Sequence, residues 1–105
     1  MSEKYDVYYE KPKEDYQPYR DSDFKSTDSP KVLDVLGDLG RITYNGKIHN
    51  DGSGDIIFSL SSDGTSYNSQ VYLEAAEEAD LRTHIVKKIK LEHSGTDSAY
   101  RVEVW

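Results

Sequence analysis

The sequence predicts an all-β protein: a small antiparallel β-sandwich, jelly-roll-like, behind an extended N-terminal arm. Three observations carry this. Apolar residues alternate with period two in several short runs, the signature of half-buried strands. Clusters of Gly, Asn, Asp and Ser separate those runs every 8–12 residues or so, the spacing of a sandwich or barrel. The first thirty positions also differ in composition from the rest, which places an arm over 1–30 and the sandwich over 31–105.

Residues 1–30 hold eight acidic and five basic residues, five tyrosines and all three prolines. Apart from Tyr5-Asp6-Val7-Tyr8-Tyr9 they show no helical or strand period, and each proline biases its predecessor toward extended backbone. One reading is a disordered tail. The other is an arm that orders on a partner, with Tyr5, Tyr8, Tyr9, Tyr16, Tyr19 and Phe24 as anchors. Tyrosine joins a large apolar ring to a hydroxyl, which suits wet interfaces, and disordered tails are poor in aromatics. On this reading the arm carries most of the affinity, and a chain lacking residues 1–30 stays folded but no longer joins its assembly.

From Lys31 onward the signals are those of strands. Val32-Leu33-Asp34-Val35-Leu36 fits a short strand or a helical turn ended by Gly37. Arg41–Tyr44 and Gly46–His49 read as one strand, or as a hairpin turning at Asn45-Gly46. Asn50-Asp51-Gly52-Ser53-Gly54 is a loop. In Asp55–Ser61, Ile56, Phe58 and Leu60 share one face, and Ile57, Ser59 and Ser61 the other. Ser62-Asp63-Gly64-Thr65 is a tight turn leading into Tyr67–Leu73, with Val71 and Leu73 facing in. Residues 74–83 have helix formers but one strong apolar anchor, Leu81, so they read as a connection across the sheet end. Ile85–Glu92 is a strand whose phase Lys87 breaks, pointing to a bulge or an exposed edge. After Ser94–Ser98 turns the chain, Tyr100, Val102 and Val104 alternate with Arg101, Glu103 and Trp105.

Composition narrows the function. The chain has 105 residues, with 20 acidic against 13 basic and a formal net charge of −7. Nucleic-acid binding depends on Lys and Arg neutralising phosphates, so nucleic acid is not an expected partner. No apolar run approaches the roughly 18 residues of a membrane span, and the N-terminus lacks a secretory pattern. The expectation is a soluble protein made in the cytoplasm. A 75-residue sandwich buries only about 60% of its unfolded surface, so support from an assembly is plausible.

The sequence carries few signals of chemistry. There is no cysteine, and His49, His84 and His93 lack zinc spacing. Neither a nucleophile elbow nor a phosphate loop occurs. Asn50–Asp55 has oxygen ligands around two glycines but lacks the first acid and the distant Glu of a calcium loop. It reads as a turn, and no catalytic residue, metal or cofactor is assigned. Lys87, Lys88, Lys90 and Arg101 on the terminal strands, with His84 and His93 nearby, form the one basic cluster. It either solubilises an edge or meets an acidic neighbour, with Lys88 and Lys90 as its interface candidates. Trp105, on the solvent-facing phase of its strand, is a further interface candidate.

Gly46–Gly52, Ile57–Tyr67, Val86–Leu91 and Ser94–Val102 together resemble small β-sandwich proteins of tailed-phage virions. The Ser-x-Asp-Gly-x-x-Tyr hairpin, Ser61 to Tyr67, is also similar to turns of discoidin or galactose-binding-like sandwiches. The resemblance covers roughly residues 41–104 and rests on turn chemistry, and no ligand residue is carried over from it. It implies a non-enzymatic virion component, a decoration, head–tail joining or tail-associated protein. Its partners would be other virion proteins or copies of itself, and its location the virion. The alternative is a small carbohydrate-binding module using Tyr44, Tyr67 and Tyr72. An enzyme is a third class, to be reopened by a pocket holding a histidine and a carboxylate within hydrogen-bonding reach.

Overall fold

The computed structural model describes residues 16–43, 45–82, 84–93 and 97–105. The described residues form strands β1 (Gln17–Phe24), β2 (Lys31–Leu33), β3 (Gly46–Asn50), β4 (Ile56–Ser61), β5 (Val71–Leu73), β6 (Glu78–Asp80), β7 (Lys88–His93) and β8 (Ser98–Val104), with a short helix α1 (Val35–Leu39) after β2. They make two four-stranded sheets, A in the order β1-β8-β3-β6 and B in the order β2-β7-β4-β5. All pairings are antiparallel. This is the expected all-β sandwich, and its strand order is that of a jelly roll, two Greek keys folded face to face.

Period two decides which side chains meet between the sheets. Along β8, Ser98, Tyr100, Val102 and Val104 are buried and the residues between them are not. Ile48 on β3 lies beside them in the same sheet, and Ile56, Phe58 and Leu60 on β4 and Ile89 and Leu91 on β7 face them from the other, in one apolar cluster. Asp34 caps α1 by accepting from the Gly37 N–H at 3.1 Å, and the helix adds Val35 and Leu39 to the core. Tyr100 is 3% exposed, and burial pushes its phenol up to about 12.

At one end of the sandwich a buried amide joins both sheets. Asn50, 1% exposed, donates to the carbonyls of Gly54 at 2.8 Å and Leu73 at 2.9 Å. Its own oxygen accepts from the Gly52 N–H at 3.0 Å and the Ser98 hydroxyl at 2.8 Å. Gly52 lies so close to β8 that a Cβ there would sit 2.5 Å from the Ala99 nitrogen. The Asn50–Gly54 loop is therefore the turn expected, built inward on Asn50.

Several expectations are corrected. Residues 17–24 are not part of an arm. They pair with β8 from Gln17↔Val104 to Phe24↔Ser98, with an irregularity between Asp21 and Phe24. Phe24 is no interface anchor, because it is fully buried. Its ring meets Tyr100 edge-on at 5.2 Å and His93 at 4.7 Å, and its carbonyl meets His93 Nε2. A chain lacking residues 1–30 would lose this strand and this ring. Asn45-Gly46 turns no hairpin: Thr43 bridges to Val86, and the chain then enters sheet A at Gly46. Residues 78–80 are a strand on β3, with His49↔Glu78 and Lys47↔Asp80. β7 lies between β2 and β4, so Lys87 marks no edge.

The role of Phe24 is directly measurable. Phe24→Ala removes a fully buried aromatic and should cost about 3–5 kcal/mol, read as a lowered urea midpoint at unchanged slope. A loss below about 1 kcal/mol, the range of surface substitutions, would return β1 to the arm.

Candidate interaction site

The two outward faces of the sandwich differ in chemistry. On sheet A the register aligns Arg20, Arg101, His49 and Glu78 in one row, and Pro18, Glu103, Lys47 and Asp80 in the next. Charges of both signs pair across it. Arg101 holds Asp51 with two bonds, Nε at 2.6 Å and Nη2 at 3.1 Å, and the Asp51 carboxyl is lowered by that bond first. Lys47 and His49 reach opposite oxygens of Glu78 at 3.2 and 3.3 Å. This is a solvated charge lattice, worth little per exposed pair.

Sheet B is different. Its outward residues are Val32 on β2, Lys88, Lys90 and Glu92 on β7, Ile57, Ser59 and Ser61 on β4, and Tyr72 on β5. They are neighbours by register: Val32↔Lys90↔Ser59 in one row and Glu92↔Ile57↔Tyr72 in the next. All of β4 is buried, its outward residues included. Tyr72 is 60% exposed and Val32 45%, so apolar side chains stand at both margins with two lysines between. Lys90 sits 3.6 Å from Glu92 and 4.6 Å from the centre of the Tyr67 ring, an arrangement that holds the ammonium flat against the face. Val71 beside Tyr72 is also exposed at 46%, and β5 is an edge of its sheet.

The residues singled out from the sequence separate accordingly. Lys88 and Lys90 lie on the outward face of sheet B. Arg101 does not join them, because β7 and β8 follow one another in sequence but belong to different sheets. Tyr19 turns inward, packs on the core and donates to Asp38 at 2.7 Å; burial raises its phenol well above the usual range. Tyr16 is exposed and donates to Glu103 at 3.3 Å. Trp105 is half-buried rather than exposed, with its N–H donating to the Asn45 carbonyl and its carbonyl accepting from the Thr43 hydroxyl. Tyr5, Tyr8, Tyr9 and Tyr44 lie outside the described residues.

Two open grooves border these faces. A polar one of about 320 Å³ contains His49, Asp51, Glu77, Glu78 and Arg101. It does place a histidine and a carboxylate within reach, His49 and Glu78. The pair is a cross-strand neighbour set by register, and among the described residues no hydroxyl or thiol lines the groove beside it. Among the described residues no cluster of three or more His, Cys, Asp or Glu is placed to hold a metal. The other groove, about 520 Å³, runs between residues 62–68 and 84–85 and includes Tyr67, Asp63, Asn68, His84 and Ile85. Compared with protein-family models, curated proteins and solved structures, the chain matches none.

The turn on this second groove is rigid. Asp63 accepts from the Thr65 and Ser66 N–H groups at 2.8 Å each, while Gly64 takes φ +89°, conformations favoured by Asp and Gly. Those backbone donors hold the Asp63 carboxyl well below the usual carboxylate range. A lowered folded value stabilises above the unfolded value near 3.9 and fades as pH falls below it. The urea-midpoint gap between the native chain and Asp63→Ala should therefore be largest at neutral pH and shrink below about pH 4. A gap constant from pH 7 to pH 2 would mean that ionised Asp63 does not hold the turn.

Proposed function

We propose that the protein is a non-enzymatic structural protein that joins neighbouring subunits in a larger assembly. The virion of a tailed phage is the assembly that its sequence resemblance implies. One observation carries this reading: the contrast between the charge-paired face of sheet A and the apolar, lysine-bearing face of sheet B. A solvent-facing sheet surface is ordinarily polar, and adjacent exposed apolar side chains, as at Val71 and Tyr72, mark contact sites.

The chemistry of the face specifies the neighbour. Val32 and Tyr72 ask for apolar cover, and Lys88 asks for a carboxylate, beside Lys90, which already pairs with Glu92. The partner is another protein subunit with an acidic, partly apolar surface, either a different virion protein or a further copy of this acidic chain. Fully burying an aromatic covers 150–250 Å² at about 25 cal/mol per Å². With 60% of its surface still exposed, Tyr72 alone could thus supply up to about 2–4 kcal/mol before ordering costs. The jelly-roll order agrees, since that architecture recurs in viral capsid proteins, although fold analogy alone carries no function.

The test is incorporation into the native assembly. Tyr72→Ala combined with Lys90→Glu changes only side chains on the outward face, so the protein should remain folded. Occupancy in purified particles should fall at least about tenfold, equivalent to roughly 1.4 kcal/mol. Normal occupancy of this variant, together with loss on replacing Tyr5, Tyr8 and Tyr9 by alanine, would move the contact from the sheet to the arm.

A further inference from the structure

The larger groove has a composition that the subunit-joining reading does not use. β4 and β5 pair only as far as Phe58↔Val71. Beyond that point Asn68 takes over: its backbone N–H donates to the Leu60 carbonyl at 2.9 Å, and its side-chain oxygen accepts from the Leu60 N–H at 2.9 Å. One residue thus closes the ladder that a regular strand would continue. The chain from Ser62 to Ser66 is left free to stand away from the sheet, and the groove lies between it and His84–Ile85.

We propose that this groove binds a neutral saccharide, one pyranose ring at a time. A sugar ring presents C–H groups on its faces and hydroxyls around its rim, so its site needs an aromatic ring, aliphatic side walls and fixed polar groups of both senses. Tyr67 supplies the ring. Lys90, which does not line the groove, sits 4.6 Å from the centre of that ring. Ile85, 46% exposed, supplies the aliphatic wall, and Leu60, a core residue, borders the groove. Asp63 is a fixed acceptor, locked by the backbone bonds of its own turn. Asn68 spends its oxygen on Leu60, which turns its amide NH₂ into a donor of set orientation. His84 and the hydroxyls of Ser62 and Ser66 complete the rim.

The size agrees, because ligand sites run to about 300–1,000 Å³ and the groove holds about 520 Å³. Its openness to solvent and single aromatic ring set the affinity near the millimolar range. Charge sets the selectivity. Asp63 is the carboxylate in the groove and remains ionised, so an acidic sugar meets repulsion where a neutral one finds an acceptor.

The experiment is an amide-resolved NMR titration of the full-length protein. The probes are methyl glucoside, methyl galactoside, N-acetylglucosamine and galacturonate, each raised to about 50 mM, well above a site of millimolar affinity. At least one neutral sugar should shift the amides of Asp63, Ser66, Asn68 and Ile85 together, and galacturonate should shift them several-fold less. Tyr67→Ala should weaken binding at least tenfold. Asn68→Asp, which keeps the oxygen that Leu60 needs but removes the NH₂ donor, should do the same in a fold verified by its unchanged spectrum elsewhere. The absence of shifts with all three neutral sugars, equal or tighter binding of galacturonate, or shifts that survive both substitutions would each overturn the proposal.

Discussion

The buried amide of Asn50 is the constraint on which the two-sheet stack turns. Its β3 strand belongs to sheet A, while one of the carbonyls it serves, that of Leu73, belongs to β5 of sheet B. The Ser98 hydroxyl, at the start of β8, donates to the Asn50 oxygen and also lies 2.9 Å from the Gly54 carbonyl. Four bonds thus fix two sheets and a loop through one side chain. Only an amide can do this, since two partners require donors and two require acceptors. An aspartate would have no donor for the carbonyls and would bring a buried charge. Each unmatched partner would then cost about 1–3 kcal/mol.

The opposite constraint is apolar. Phe24 closes the sandwich against Tyr100 and His93, which makes β1 part of the fold. The His93 ring nitrogen Nδ1 is buried without a hydrogen-bond partner among the described residues, while Nε2 serves the Phe24 carbonyl. Around Phe24 the core is therefore held by ring packing and one imidazole bond, beside the Asn50 hub. One end of the sandwich thus combines both kinds of physics, a saturated polar hub at Asn50 and an aromatic seal at Phe24, because Phe24 pairs with the same Ser98 that donates to Asn50.

How much of this was legible in the sequence depends on where each strand sits. β4 and β8 are central, so their period-two apolar residues announced them, as did the Asp63-Gly64 turn. β1 is an edge strand with Pro18 and three charged residues, and only Tyr19 and Phe24 signal its inward face. Its composition is that of a polar arm. β6 is three residues, Glu78-Ala79-Asp80, whose helical propensity yields to pairing with β3. The contrast between the two outward faces was hidden for a related reason. Adjacent strands in sequence, β7 and β8, were read as adjacent in space, which merged the lysines of sheet B with Arg101 of sheet A. The groove beside Tyr67 depends on one side-chain bond, from the Leu60 N–H to Asn68, and no periodicity encodes that.

Function follows from the unequal faces. A face whose charges are paired internally has little left to offer a neighbour, whereas one with exposed Val32 and Tyr72 beside Lys88 has unmet apolar and electrostatic demands. The most direct measurement compares covalent side-chain labelling of the free protein with that of the protein in its native assembly, read residue by residue. Tyr72 and Lys88 should lose reactivity in the assembly while Lys47 and His49 keep theirs. Protection of Lys47 and His49 with Tyr72 and Lys88 still reactive would contradict this.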